Sequence, residues 1–210
     1  MPRNLLFSLL IWLLEIVVVT GFVSDEWTRQ IQQVEDQRLL DYFGTQKARE
    51  IQATSQYWFD RLFVQTGIRP SVYHYFIPTE RERQLSKGFE DVGRYDLFPF
   101  IQSRLDVLWD TVYQMIKRFI MACIWCPFLA VALLPFVIDG LICRKISQTN
   151  FDYPSPMAHR YSLYTLLAAC YLLFISLTLP FAIPPQALPI GVLIVAYAVH
   201  VLLANTQKRV

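Results

Sequence analysis

Four long apolar runs divide the chain, over residues 4–23, 119–142, 162–183 and 186–204. Among acidic, basic and histidine side chains they hold only Glu15 in the first, Asp139 in the second and His200 in the fourth. A helix crosses about 30 Å of hydrocarbon in roughly 20 residues and satisfies its own backbone there. All four runs are long enough, so the pattern predicts four transmembrane helices. Pro127 and Pro135 fall inside the second run, and Pro180 and Pro189 near the ends of the third and fourth. Kinks are expected at these positions. Arg3 precedes the first run as it would in a signal peptide. The apolar core is too long for one, however, and no A-x-A-like cleavage site follows, so this run is read as a retained anchor.

Between the first two runs the pattern changes to amphipathic spacing. Trp27, Ile31 and Val34, then Ala48 and Ile51, then Trp58 with Leu62 and Phe59 with Phe63 recur at steps of three and four. Gly44 is a candidate bend. Residues 67–78 contain Pro70 and Pro78 and read as a loop or irregular cap, with Gly88 and Gly93 as further breaks. From Pro99, well placed as the first helical residue, a stripe resumes through Phe100, Leu105, Leu108, Trp109, Val112, Met115 and Phe119. No turn signal separates this stripe from the second apolar run, and none clearly separates Val23 from Trp27. Two helices are therefore expected to leave the membrane unbroken, as an extended hairpin or as a compact cap.

The expected class is an all-α membrane protein with four transmembrane helices and a helical extracytoplasmic domain between the first and second. Its parts are transmembrane helix 4–23, extracytoplasmic domain 24–118, transmembrane helix 119–142, cytoplasmic loop 143–161, transmembrane helices 162–183 and 186–204, and cytoplasmic tail 205–210.

Composition agrees with this class. Only 17% of the 210 residues are charged and 54% are hydrophobic, where a soluble domain has nearer a quarter charged. With 19 basic and 17 acidic residues the whole chain has no strong field for nucleic acid, and direct contact with DNA is not expected. Residues 25–116 hold 14 acidic against 11 basic side chains. Basic residues in the short segments set the orientation: Arg3, Arg144, Lys145, Arg160, Lys208 and Arg209 share one side if there are four spans. That side is then the cytoplasm, with both termini inside. Lys117 and Arg118 stand at the outer end of the second span and count against this, although long translocated segments obey the rule poorly.

Candidate chemistry is sparse. Cys123 and Cys126 form a C-x-x-C that would suit a membrane thiol oxidoreductase, but apolar surroundings disfavour thiolates and small packing cysteines are the simpler reading. His74, His159 and His200 make no H-x-x-x-H or H-E-x-x-H pattern, and no P-loop, G-x-S-x-G or dinucleotide fingerprint occurs. No catalytic residue, cofactor or metal ligand is expected. Glu15, Asp139 and His200 carry more weight, because an ionisable group in a span usually faces a partner or a cavity. Asp139 and His200 each lie about 6 Å from the inner ends of their helices at 1.5 Å per residue, so they can face each other, directly or through water, or else both reach headgroup water. Glu15, about 16 Å from the inner end of its own helix, is too far out to join them. The inner loop carries Arg144, Lys145, His159 and Arg160, a basic surface for which anionic lipid is the default partner.

The stretch PFVIDGLICRKISQTNFDYPSPMAHRYS, residues 135–162, together with the four-span plan, resembles a family of inner-membrane proteins encoded on conjugative plasmids and integrative conjugative elements. The resemblance rests on Asp139-Gly140 at the end of the second span, the basic pair Arg144-Lys145, a polar loop, and His159-Arg160 before the third span. It covers roughly the whole chain and is specific in this central stretch. It implies a bacterial inner-membrane component of conjugative DNA transfer by type IV secretion, working beside the hexameric coupling ATPase and other conjugation membrane proteins. It implies no enzyme activity, since no catalytic residue is established for the family. The plan is also similar to the membrane part of septal DNA translocases. A thiol oxidoreductase using Cys123 and Cys126, a small transporter, and an exclusion or surface-signalling protein are the alternatives. The amphipathic outer segment, which gains stability from packing, suggests a partner or a homo-oligomer.

Overall fold

The computed structural model describes residues 2–77, 97–150 and 155–206, with side chains from Leu10 in the first helix and from Phe98 in the fourth. The side chain of Arg3, and Pro78, Gly88, Gly93, Pro154, Lys208 and Arg209, lie outside the described residues. Every regular element described is helical: α1 (Pro2–Phe22), α2 (Asp25–Phe59), a π-helical turn (Asp60–Val64), α3 (Ile68–Phe76), α4 (Leu97–Thr149), α5 (Pro156–Thr178) and α6 (Ala187–Ala204). The class is all-α, as expected. Three helices are long and apolar enough to cross a membrane, namely Phe98–Thr149 of α4, α5 and α6, while Leu10–Phe22 of α1 is a shorter apolar helix. The chain divides into two compact units, Met1–Ile120 with Leu177–Ile183, and Met121–Ser176 with Pro184–Val210.

In the first unit the chain breaks where continuity was expected. Ser24 is extended and its hydroxyl accepts the Trp27 N–H at 3.2 Å, while Asp25 and Glu26 place negative charge in the first turn of α2. An N-cap and an acidic first turn start a new helix whatever precedes them. The contacts give the directions. Arg104 donates to the Val23 carbonyl at 2.7 Å, Gln32 to the Asp110 carbonyl at 3.4 Å, and Gln114 to Glu35 at 3.0 Å. Residue numbers rise together, so the start of α2 runs parallel to α4. Glu15 meets Thr178, whose neighbours Leu177 and Leu179 are held by Arg118, so α1 runs the opposite way along α4. Leu10, Leu13, Leu14, Val17 and Val18 remain exposed on α1.

Gly44 then interrupts α2 with φ 76° and ψ 168°, a backbone conformation open essentially to glycine alone. The bend expected there is real. Beyond it the chain returns, and the Phe59 ring lies 6.2 Å from Trp109 and 5.8 Å from Tyr113. The buried positions of α2 are Thr28, Ile31, Glu35 and Leu39, then Ala48, Ile51, Ser55 and Phe59. Two stripes at helical steps, separated by the bend, thus face the centre. They differ from the expected apolar stripe, since Trp27, Val34, Trp58 and Leu62 are exposed. In α4, Leu105, Val107, Trp109, Thr111, Gln114, Lys117 and Arg118 are all buried. Positions two apart lie about 200° apart around a helix, so this part of α4 is enclosed on every side. It is the central helix of the unit. The stripe expected on it was one-sided, and its members Phe100 and Phe119 are exposed.

Residues 67–77, expected as a loop or irregular cap, contain α3. Gly67 turns the chain at φ 77°, and Pro70 is the third residue of the helix, where its missing N–H costs nothing. Burial and a hydrogen bond to the Asp106 carboxylate push the Tyr73 hydroxyl up to about 12. Burial, then the nearby Asp25 carboxylate, raises Asp110 above the usual carboxylate range.

In the second unit, α4 continues through Pro127 and Pro135 to Thr149, beyond the expected end at residue 142. Neither glycine nor proline lies between Leu141 and Asp152 to stop it. The hydroxyl of Ser155 accepts the Ala158 N–H at 3.3 Å, and Pro156 opens α5 in the position proline favours. Arg144 and Lys145 therefore sit on the last turns of α4, and His159 and Arg160 on the first turns of α5. This corrects the loop assigned to them. α5 ends at Thr178, earlier than residue 183, because Pro180 disfavours helical backbone in the residue before it. Ser155 N–H donates to the Asn205 side chain at 3.1 Å, tying the start of α5 to the end of α6. Phe128, Val131, Leu134, Ile138, Leu141 and Ile142 leave an open apolar surface on α4, with Val131 70% exposed.

Candidate functional site

Among the described residues, each unit contains a polar centre. In the first unit it is a buried ion cluster between α2 and α4. Glu35 is 6% exposed, Lys117 2% and Arg118 4%. Arg118 grips Oε1 of Glu35 with Nε at 3.0 Å and Nη2 at 2.6 Å. Lys117 reaches Asp36 at 2.8 Å and Glu35 at 3.8 Å, and Gln114 donates to the other oxygen of Glu35 at 3.0 Å. Buried charges persist only when paired and hydrogen-bonded, and here both conditions are met.

The cluster also holds the segment Leu177–Ile183, whose backbone forms no helix beyond Thr178 and so needs partners elsewhere. Arg118 donates to the carbonyls of Leu177 at 3.2 Å, Leu179 at 2.8 Å and Phe181 at 2.8 Å. The Trp27 indole donates to Pro180 at 3.1 Å and Arg38 to Ala182 at 2.6 Å, while the Ile183 N–H donates to Glu35 at 3.1 Å. Glu15 lies at the edge of this segment beside Thr178, with Oε1 buried and unpartnered. Sequence reasoning placed Lys117 and Arg118 at the outer end of the second span and passed over Glu35 and Asp36. The available signal was two adjacent bases at the mouth of an apolar run and two adjacent acids on an amphipathic helix.

In the second unit the expected facing of Asp139 and His200 is present. Oδ2 of Asp139 lies 3.3 Å from Nδ1 of His200. Nδ1 is buried and makes no hydrogen bond, so the two atoms approach without an aligned N–H···O contact. The imidazole is held by Tyr197, stacked at 6.1 Å between ring centres, and by the edge of Phe136 at 6.5 Å. A Cβ on Gly140 would stand 2.9 Å from the His200 carbonyl oxygen, so glycine here is what allows α6 to come this close. Cys143, one turn beyond Asp139, completes a group of three whose donor atoms all lie within 4.8 Å of one another.

Arg160 donates to the Tyr164 hydroxyl at 3.0 Å, and Nδ1 of His159 is buried without a hydrogen bond. Cys123 and Cys126 are both exposed free thiols.

An all-helical fold with three apolar helices of spanning length defines an all-α protein, consistent with membrane localisation. Its family is a narrower matter. The family model described as IncC plasmid conjugative DNA transfer protein DtrJ-like matches residues 9–209, and the chain belongs to this family of conjugative DNA transfer proteins. No curated protein and no solved structure matches the chain.

Proposed function

We propose that this protein is a non-enzymatic inner-membrane component of a conjugative type IV secretion system that packs against the membrane helices of the coupling ATPase. In this reading α1 and the three longer apolar helices all span the bilayer, both termini are cytoplasmic, and residues 24–118 lie in the periplasm. The observation that carries it is the open apolar surface of α4, flanked by exposed side chains on α5 and α6 such as Leu167, Leu172, Ile190 and Leu193. Within a bilayer such faces meet lipid or the helices of a neighbour. The buried charges support the same reading, because Glu35, Lys117 and Arg118 are engaged in holding backbone and helices together. Family membership supplies the process.

The test is detergent extraction of donor cells carrying a tagged copy, followed by purification and probing for the coupling ATPase, alongside mating assays on a deletion strain. Co-purification with a loss of transfer on deletion supports the proposal. Normal transfer after deletion with no co-purified ATPase overturns it.

A further inference from the structure

We propose that Asp139, Cys143 and His200 form a binding site for a borderline divalent transition metal ion, with Zn2+ as the natural occupant. A carboxylate, a thiolate and an imidazole are a recurring ligand set for zinc, and three protein ligands leave a fourth tetrahedral position open. Asp139 and Cys143 are four residues apart on α4, so they project from one face of the helix one turn apart. His200 is brought to them from α6 by the close approach at Gly140.

The distances suit a metal better than a direct pair. Tetrahedral zinc, with bonds of about 2.0–2.3 Å, holds its ligand atoms roughly 3.3–3.7 Å apart. Asp139 and His200 already stand 3.3 Å apart, and the widest separation in the trio is bounded by 4.8 Å. Closure needs a movement of about 1 Å, within the reach of side-chain torsions. Nδ1 of His200 is buried, makes no hydrogen bond, and yet sits beside a carboxylate oxygen. Two donors that converge without bonding to each other are the arrangement a shared cation requires, and a buried polar atom without a partner calls for such an explanation.

Charge adds a third argument. Asp139 is 67% exposed on a helix whose neighbouring exposed residues are Ile138, Leu141 and Ile142. A lone carboxylate in such apolar surroundings is costly. A divalent ion with one carboxylate, one thiolate and one neutral imidazole has zero net charge, the state best suited to a low dielectric. Metal binding would thus neutralise Asp139 and staple α4 to α6. The inference concerns the ligand set alone and stands or falls independently of the coupling ATPase.

Cobalt(II) is the probe, because its thiolate complexes absorb in the near ultraviolet and its tetrahedral complexes in the visible. Full-length protein in detergent, with Cys123, Cys126 and Cys170 replaced by Ser and metal removed by chelation, is titrated with Co2+. Both absorptions are expected to rise together and saturate at one ion per chain, then fall on addition of Zn2+. Cys143→Ser is expected to abolish the near-ultraviolet band. Asp139→Asn and His200→Asn are each expected to weaken Co2+ binding by more than the roughly 10- to 100-fold that follows loss of a residue supporting a ligand. Absence of a thiolate band in folded protein retaining Cys143, or a band that survives Cys143→Ser, overturns the proposal. If the triple replacement does not fold, the wild type compared with Cys143→Ser alone decides between the same two results.

Discussion

At the scale of single residues, Arg118 does the most. Its guanidinium spends its donors on one carboxylate oxygen and three carbonyls, a use that only its fixed fork of N–H groups permits. Arg118→Ala is expected to destabilise the first unit by about 3–5 kcal/mol, the usual cost of leaving a buried charge unpaired. Arg118→Lys should recover little of this, since one ammonium cannot reach all four acceptors. Replacing Glu35 and Arg118 together by Leu and Met, which often rescues an isolated buried pair, should fail here. The carbonyls of Leu177, Leu179 and Phe181 and the N–H of Ile183 would all lose partners. Thermal unfolding in detergent checks the series, and a double variant as stable as wild type would show that the segment needs no such support. Tyr73 makes a different prediction. Its folded hydroxyl is held near 12, above the unfolded value of about 10, by burial and then by Asp106. The folded state therefore retains a proton that the unfolded state releases. The contribution is fully present below about pH 10 and is lost as pH rises towards about 12. Wild type should lose more stability than Tyr73→Phe between about pH 9 and about pH 11. Equal losses in denaturant titrations at those two values would refute the linkage.

At the scale of elements, two glycines have opposite duties. Gly44 has open space around its Cα but positive φ, so Gly44→Ala meets backbone strain alone, expected to cost about 1–3 kcal/mol. Gly140 has ordinary helical backbone but no space, since a Cβ would meet the His200 carbonyl and, at 3.1 Å, Leu203. Gly140→Ala should push α6 away from α4. A crosslink formed between cysteines placed at Asp139 and His200, whose side chains stand 3.3 Å apart, in a background without the native cysteines would then form less readily, whereas Gly44→Ala should leave it unchanged. These elements also show what the sequence made legible. The apolar runs located α6 closely and α5 only with both ends shifted several residues earlier, and the absence of a stop signal after Pro99 correctly implied one long α4. Matched depth allowed Asp139 either to face His200 or to reach headgroup water, and their 3.3 Å approach fits the first. The break at Ser24 was missed although serine before two acids is a cap signal, because the apolar pattern on either side suggested continuity. The ion cluster was illegible for a stronger reason. Glu35 occupies the inward position of an amphipathic stripe, where polarity patterns predict an apolar side chain, and only the partner 83 positions away explains it. Cys143 was hidden likewise, because a ligand set drawn from two helices has no sequence spacing.

At the scale of the whole molecule, function turns on how many times the chain crosses the bilayer, and the N-terminus decides it. With α4, α5 and α6 as the spans, Gly67 and Asn205 fall on opposite faces whether or not α1 crosses. If α1 crosses as well, the N-terminus shares a face with Asn205; if it lies flat, the N-terminus shares a face with Gly67. The exposed Leu10, Leu13, Leu14, Val17 and Val18 favour crossing, since they present to the surroundings a surface suited to lipid. The objection raised by Lys117 and Arg118 also weakens. These bases are buried and paired with Asp36 and Glu35, so they act as a neutral cluster and not as positive charge retained on the outer face. The expected outcome is therefore labelling by an impermeant thiol reagent at Ser24→Cys and Gly67→Cys in intact spheroplasts, on a background lacking the native cysteines. Asn205→Cys and a cysteine added before Met1 should label only after lysis. A cysteine before Met1 that reacts in intact spheroplasts while Asn205→Cys does not would reduce the count to three, place the N-terminus outside, and remove α1 from any contact with the coupling ATPase inside the bilayer.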